Sequence, residues 1–218
     1  MTADRIEQAG RLAAESLRAG DATGWFERLY AAAEEGAAVV PWSRGAPHPL
    51  LAEWVERRRP DGTGRRALIV GCGLGDDAEL IAALGFDTVA FDISASAVRA
   101  ARRRFPDTRV DYRAADLLDP PAAWRGGFDL VVEALTVQSL PDPPRPAAIA
   151  SVRHMVRADG TLLVIATARD GADRVHGPPW PLTRSEVESF AGDGLRPERI
   201  ERLAGDPRRW RAEFRRAP

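Results

Sequence analysis

The segment Val70-Gly71-Cys72-Gly73-Leu74-Gly75-Asp76-Asp77 runs from a short apolar stretch through alternating glycines into two acids. Glycines at such a place permit a tight turn and let a ligand approach the backbone closely. Asp92, followed by Ile93, stands 17 residues after Gly75, at the end of the next apolar run. A carboxylate there can accept hydrogen bonds from both hydroxyls of a ribose. Alone, a Gly-x-Gly-x-Gly pattern is shared by any doubly wound fold, and the two acids narrow it. A dinucleotide site wants Gly-x-Gly-x-x-Gly, with a helix N-terminus facing pyrophosphate. Here the third glycine comes one residue early, and Asp76 and Asp77 would repel a pyrophosphate. They would tolerate a ligand carrying a sulfonium and an ammonium, which favours S-adenosylmethionine (SAM) over NAD. With no ligand, both acids would still complement the helix dipole.

Further stations follow downstream. Asp116 in Ala114-Ala115-Asp116-Leu117 can accept a hydrogen bond from an adenine amino group while Leu117 packs on the ring, or it is an ordinary loop aspartate. Glu133 ends an apolar run at the edge where such sheets bind ligands, and suits a floor under the methionine part of the cofactor or a purely structural role. The three histidines, His48, His154 and His176, are scattered, and no His/Asp/Glu cluster has metal-ligand spacing, so no metal is expected. His154 sits in a helical pattern and reads as structural. His48 and His176 lie in segments placed around the pocket, and either could act as a general base. Cys72, the single cysteine, reads as a small filler inside the glycine turn and excludes an internal disulfide.

The elements needed to position these residues are legible. Residues 6–17, 25–35 and 50–59 carry helical patterns, interrupted by Val39-Val40-Pro41-Trp42-Ser43-Arg44-Gly45-Ala46-Pro47-His48-Pro49, whose prolines and glycine oppose a helix. From Arg66 onward short apolar strands alternate with helices: strands at 67–70, 88–91, 109–113, 128–132 and 161–166, and helices at 76–84, 94–104 and 146–156. That alternation predicts right-handed crossovers and a mostly parallel sheet. A short helix from Thr183 and a terminal hairpin, 199–203 with 210–214, complete the pattern.

Together the glycine turn, Asp92, Asp116 and Glu133 resemble the class I SAM-dependent methyltransferases over roughly residues 66–168. The resemblance implies an α/β Rossmann-like fold: a seven-stranded, mostly parallel sheet with helices on both faces and the last strand antiparallel. Trp25, the Pro41–Pro49 segment, the glycine turn and Gly177-Pro178-Pro179-Trp180 further resemble the thiopurine and thiol/halide methyltransferase family. That implies an N-terminal helical lid over residues 1–60 on a methyltransferase domain of residues 61–218. It also implies that Trp42 stacks over SAM, that Trp25 helps close the lid, and that Pro179 and Trp180 border the acceptor pocket. On the residues alone, both tryptophans could instead form a hydrophobic cap on the sheet.

Composition bounds the function. Apolar residues make up 44% and charged residues 29%, as in ordinary globular chains. The formal net charge is -1, which gives no global field to hold a polyanion, so no nucleic-acid partner is expected. All 31 basic residues are arginine; the local cluster Arg208, Arg209, Arg211, Arg215 and Arg216 reads as a solvated edge strand and tail. There is no apolar run long enough for a signal peptide or a membrane span, so a cytoplasmic monomer or homodimer is expected. The expected reaction is methyl transfer to a small molecule, at a thiol or thione sulfur, with an N- or O-methylated heteroaromatic or phenolic metabolite as the alternative. A thiol with a pKa of about 8.5 is partly ionised at neutral pH, which agrees with the lack of an obvious base.

Overall fold

The computed structural model describes residues 2–171 and 177–218, with side chains from residue 8 onward. Seven strands form one sheet: β1 (Arg66–Val70), β2 (Asp87–Asp92), β3 (Asp111–Ala114), β4 (Phe128–Ala134), β5 (Val156–Thr167), β6 (Leu195–Leu203) and β7 (Arg209–Arg216). Their order is β3-β2-β1-β4-β5-β7-β6. Neighbours from β3 to β5 pair in parallel, and β7 runs antiparallel between β5 and β6. The expected fold class and the antiparallel last strand are both present. β5 starts earlier than expected, at Val156, because the pairing shifts past a left-handed turn at Asp159 that lets the strand continue. Gly160 is required there, since a Cβ would lie 2.8 Å from Arg157 O.

Residues alternate between the two faces of the sheet, as a strand's period of two dictates. Ala67, Ile69, Ala90, Leu130, Val132, Leu163 and Ile165 pack beneath α3 (Pro49–Arg58), α4 (Asp76–Ala82) and α5 (Ala95–Arg104). Leu68, Val70, Val89, Phe91, Val131, Leu162 and Val164 face α6 (Pro144–Met155) and α7 (Arg184–Glu188). Each large apolar side chain buried in these layers contributes about 1.5–3 kcal/mol. Among the described residues, no helix is long and apolar enough to cross a membrane.

The N-terminal region divides differently from the expected boundary at residue 60. Leu51, Trp54 and Val55 of α3 belong to the sheet's own core, and Trp54 Nε1 and Arg58 both donate to Glu213 of β7. Only α1 (Thr2–Arg18), α2 (Gly24–Glu34) and the segment after them form a separate small cluster around Trp25 and Leu29. Burial therefore assigns α3 to the sheet layer, because its apolar stripe has the sheet to cover.

One carboxylate fastens that cluster down. Glu27 of α2 accepts hydrogen bonds from Ser94 Oγ at 2.6 Å, Ser96 Oγ at 2.6 Å and Ser96 N at 3.1 Å. It thus sits on the N-terminus of α5, where orphan amides and the helix dipole favour an anion. Burial opposes its charge, but the bonds from Ser94 and Ser96 prevail and hold Glu27 below the usual carboxylate range. Glu27→Gln keeps the shape and weakens these charge-assisted bonds, so the free energy of opening the α1–α2 cluster should fall by about 1–3 kcal/mol. Amide hydrogen exchange should show faster exchange over residues 24–34 with the sheet strands unchanged. A uniform loss across the sheet would mean that cluster and sheet open as one unit.

Candidate active site

The carboxyl ends of β1, β2, β4 and β5, and the end of β7 beside them, open beneath the α1–α2 cluster into a cavity of about 740 Å³. That volume lies within the roughly 300–1,000 Å³ of small-molecule sites. Of the residues expected from sequence, Trp25, Trp42, His48, Gly71, Gly73, Asp92, Ile93, Asp116, Leu117 and Pro179 all line it. These are contributed by the cap, by three strand ends and by the segment after β5.

The glycine turn is shaped by close approaches. Gly71 and Gly73 have left-handed backbones, and a Cβ on Gly71 would lie 2.2 Å from Thr136 Oγ1. Asp92 is buried, with Oδ2 accepting from Gly73 N at 2.9 Å and Oδ1 from Ser94 N at 3.0 Å. Burial pushes its pKa up to about 6, against those two bonds. A carboxylate has about four lone-pair sites, so two remain for a ligand. Asp116 Oδ1 accepts from Leu118 N at 2.8 Å, an Asx turn that sets the loop after β3.

Above the turn, Trp42 Nε1 donates to Tyr30 Oη at 2.9 Å, and its ring stands edge-on to Trp25 with centroids 5.9 Å apart. Trp25 is 3% exposed and Trp42 40%. His48 follows on the same segment. Its backbone N–H donates to Asp77 Oδ1 at 2.6 Å, and its Nδ1 accepts from Leu50 N at 3.2 Å, capping α3. An imidazole that accepts at Nδ1 carries its proton on Nε2. Burial lowers the His48 pKa to about 4, with Arg44 and Arg209 adding to the effect. A neutral ring already protonated at Nε2 cannot take a proton there, so in this arrangement His48, one of the two candidate bases, is a donor.

Three other expected residues stand apart from the cavity. Gly75 does not line it; a Cβ there would lie 2.4 Å from Tyr112 Oη, so its glycine serves packing. Glu133 turns under the loop after β4, where its Oε1 accepts from Thr136 N at 2.7 Å and Val137 N at 2.8 Å. Its Oε2 is buried with no partner, and burial pushes its pKa up to about 7. Trp180 lies over Arg145, 5.9 Å from its guanidinium carbon, and its N–H donates to Gln138 O at 2.7 Å. His176 lies outside the described residues. His154 contacts Asp193 at 3.1 Å, away from the cavity. Among the described residues no group of His, Cys, Asp and Glu could hold a metal ion.

Some residues of the site carried no sequence signal, and others take a role the sequence did not indicate. Gln138 spans from the turn after β4 to the end of β5, accepting from Thr167 N at 2.6 Å. Asp76 pairs with Arg104 at 2.8 Å, and Asp77 holds the His48 segment, so these acids clasp local structure. The C-terminal arginine cluster is not uniformly solvated: Arg211 is 3% exposed and pairs with Glu53 and Glu201, and Arg209 lines the cavity. In a chain with 31 arginines, nothing in the sequence marks those two.

Residues 67–160 match the family model described as a methyltransferase domain. The chain is 28% identical over 184 residues to a probable thiol methyltransferase 2 of Arabidopsis thaliana, covering 83% of this chain and 77% of that one. It is 33% identical over 115 residues to a ubiquinone biosynthesis O-methyltransferase of Thiobacillus denitrificans, a match that covers 52% of this chain and 48% of the relative. The fold is that of the N-methyltransferase NodS of Bradyrhizobium japonicum, solved with S-adenosyl-L-homocysteine (SAH): TM-score 0.67 at 21% identity, covering 88% of this chain and all of that one, 100%.

The buried Glu133 has a measurable consequence. Because its folded pKa is raised from 4.5 to about 7, its contribution to stability is fully present below about 4.5 and is lost as pH rises through about 7. Glu133→Gln cannot titrate. The stability of the wild type relative to this variant should therefore fall by about 3 kcal/mol between those limits, as read by denaturant unfolding across the pH range. A difference independent of pH would exclude the buried, proton-holding carboxyl.

Proposed function

The chain is an S-adenosylmethionine-dependent methyltransferase, and we propose that it methylates a small molecule on a thiol or thione sulfur. The observation that supports the sulfur reading is the state of His48, which lines the cavity as a neutral donor with its accepting nitrogen occupied. Among the described residues no second histidine lines the cavity to serve an alcohol or phenol, whereas a thiol ionises on its own near neutral pH. The relatives named as thiol and thiocyanate methyltransferases, each 28% identical across more than 80% of this chain, agree with it. The O-methyltransferase match supports the second reading, an oxygen or nitrogen acceptor.

The residues fit the cofactor. Asp92 has two lone pairs for the ribose hydroxyls and sits at the end of β2, where the adenosine would lie. Asp116 takes the adenine amino group, and Ile93 and Leu117 flank the ring. The left-handed backbones of Gly71 and Gly73 bring main-chain groups against the methionine part, and Trp42 with Trp25 closes over it as the lid. Gly75 and Glu133 shape the turns that carry these groups. Bound SAM supplies a methyl group on a sulfonium that already carries its leaving group, so the acceptor thiolate forms its S–C bond as the old one breaks. The protein then has two tasks, to orient the acceptor and to exclude water. The thiol proton leaves to solvent. The α1–α2 cluster with the segment up to Pro47 acts as the cap, and the described residues from His48 on act as the sheet unit. The acceptor is small because the cavity is roofed by the cap, and no nucleic acid is involved.

Two measurements test this. Asp92→Asn keeps one accepting oxygen but loses the charge, and should weaken SAH binding by about 1.5–3 kcal/mol in calorimetry with a folded near-UV spectrum. Unchanged affinity would remove Asp92 from the ribose. With a panel of thiols, phenols and heteroaromatic amines, the rate should rise with pH through each thiol's own pKa and move with it. His48→Ala should then cost less than about tenfold. A loss of about 10²–10⁴, with no thioether from any thiol, would move the acceptor to oxygen or nitrogen.

A further inference from the structure

The cavity is polarised. The expected cofactor acids, Asp92 and Asp116, sit at the ends of β2 and β3. Four strand spacings separate β2 from β7, about 19 Å at roughly 4.8 Å each. At the β7 end the lining turns basic. Arg209 opens β7 opposite Thr167 of β5, and Arg44 comes from the Pro41–Pro49 segment.

Arginines in this chain are usually paired. Arg58, Arg104, Arg145 and Arg211 each reach a carboxylate within 3.1 Å. Arg44 and Arg209 reach none among the described residues, and Arg209 makes one weak bond, 3.4 Å to Pro207 O. The Arg209 guanidinium is held below its ordinary range by burial and by Arg44. Both arginines also depress His48. Asp77, which also lines the cavity, is already engaged by the His48 backbone N–H. In the same cavity lining, His48 Nε2 is buried with no hydrogen-bond partner among the described residues, and its tautomer makes it a donor. Among the described residues, two guanidiniums thus lack a carboxylate, and one buried N–H lacks any acceptor.

We propose that the methyl acceptor carries a carboxylate, held by Arg44 and Arg209 at the β5–β7 end of the cavity with the Nε2–H of His48 as a further donor. This rests on the reading of a small sulfur acceptor and names its class: an apolar mercapto acid. A planar carboxylate suits guanidinium forks, and a fixed second group orients the sulfur in a way that a free inorganic anion would not. Leu135, Pro178 and Pro179 line the cavity for the apolar body.

The test compares 2-, 3- and 4-mercaptobenzoate with the corresponding methyl esters and amides. For at least one isomer, kcat/KM for the acid should exceed that for its amide by about 10–100-fold. Arg209→Gln should bring the ratio toward one, and Arg209→Lys should retain part of it. Arg44→Gln, in an exposed segment, is the second variant if Arg209→Gln does not fold, and SAH affinity within about twofold of wild type checks folding. Calorimetry of benzoate on the SAH complex reads the site without turnover, and binding should weaken about tenfold or more in either variant. Esters and amides methylated as well as every acid, or ratios unmoved by both variants, would overturn the proposal. So would phosphate, chloride or thiocyanate displacing benzoate at equal or lower concentration, which would mark a general anion site. If no thiol is methylated yet benzoate binds through the arginines, the sulfur reading fails and the carboxylate site stands.

Discussion

Asp92 ties together the parts of the molecule that must agree for a site to exist. One oxygen takes the Gly73 N–H of the glycine turn, the other takes the N–H of Ser94. Ser94 Oγ in turn accepts from Ala97 N, capping α5, and donates to Glu27 of the cap. A chain of hydrogen bonds therefore runs from the first strand's turn through the second strand's end to the cluster above. Burial alone would drive this carboxyl to neutrality, and the backbone donors hold it part of the way back, with a pKa of about 6. A cationic ligand placed against it would favour its charged form, so the strand-end geometry and the ligand's charge support each other.

A second clasp works from the opposite side. Asp77 at the start of α4 holds the backbone of His48, and His48 caps α3 through Nδ1. The proline-rich segment is thereby fixed at one end by the sheet layer and at the other by Trp42 on Tyr30. Desolvation pushes Asp77 up in pKa against the bond from His48, a cost the fold accepts to place the segment. The same arrangement constrains the His48 ring. Accepting at Nδ1, it carries its proton on Nε2, a buried donor with no partner among the described residues.

These clasps set the electrostatic character of the cavity. Acids line the cavity where β2 and β3 end, and Arg209 at the start of β7 and Arg44 line it with no carboxylate partner among the described residues. In methyl transfer from a sulfonium the leaving group is already in place, so orientation and exclusion of water carry the work.

The sequence by itself determined the sheet, its crossovers, the glycine turn and the place of Asp92, because those follow from local periodicity, glycine tolerance and the order of strands. It also marked Trp25, Trp42, Ile93, Asp116 and Leu117, all of which meet in one cavity. It did not show that Gly75, Glu133 and Trp180 lie outside the cavity lining, because their surroundings are set by neighbours distant in the chain: Tyr112, the loop after β4, and Arg145. Only the tertiary structure decided that α3 belongs with the sheet and which nitrogen of His48 carries the proton. It alone decided which two arginines line the cavity with no carboxylate partner among the described residues. The physical reason is common to all three. Burial, tautomer and ion pairing are set by what packs against a residue from elsewhere in the chain, and a residue's own type and spacing do not contain that information.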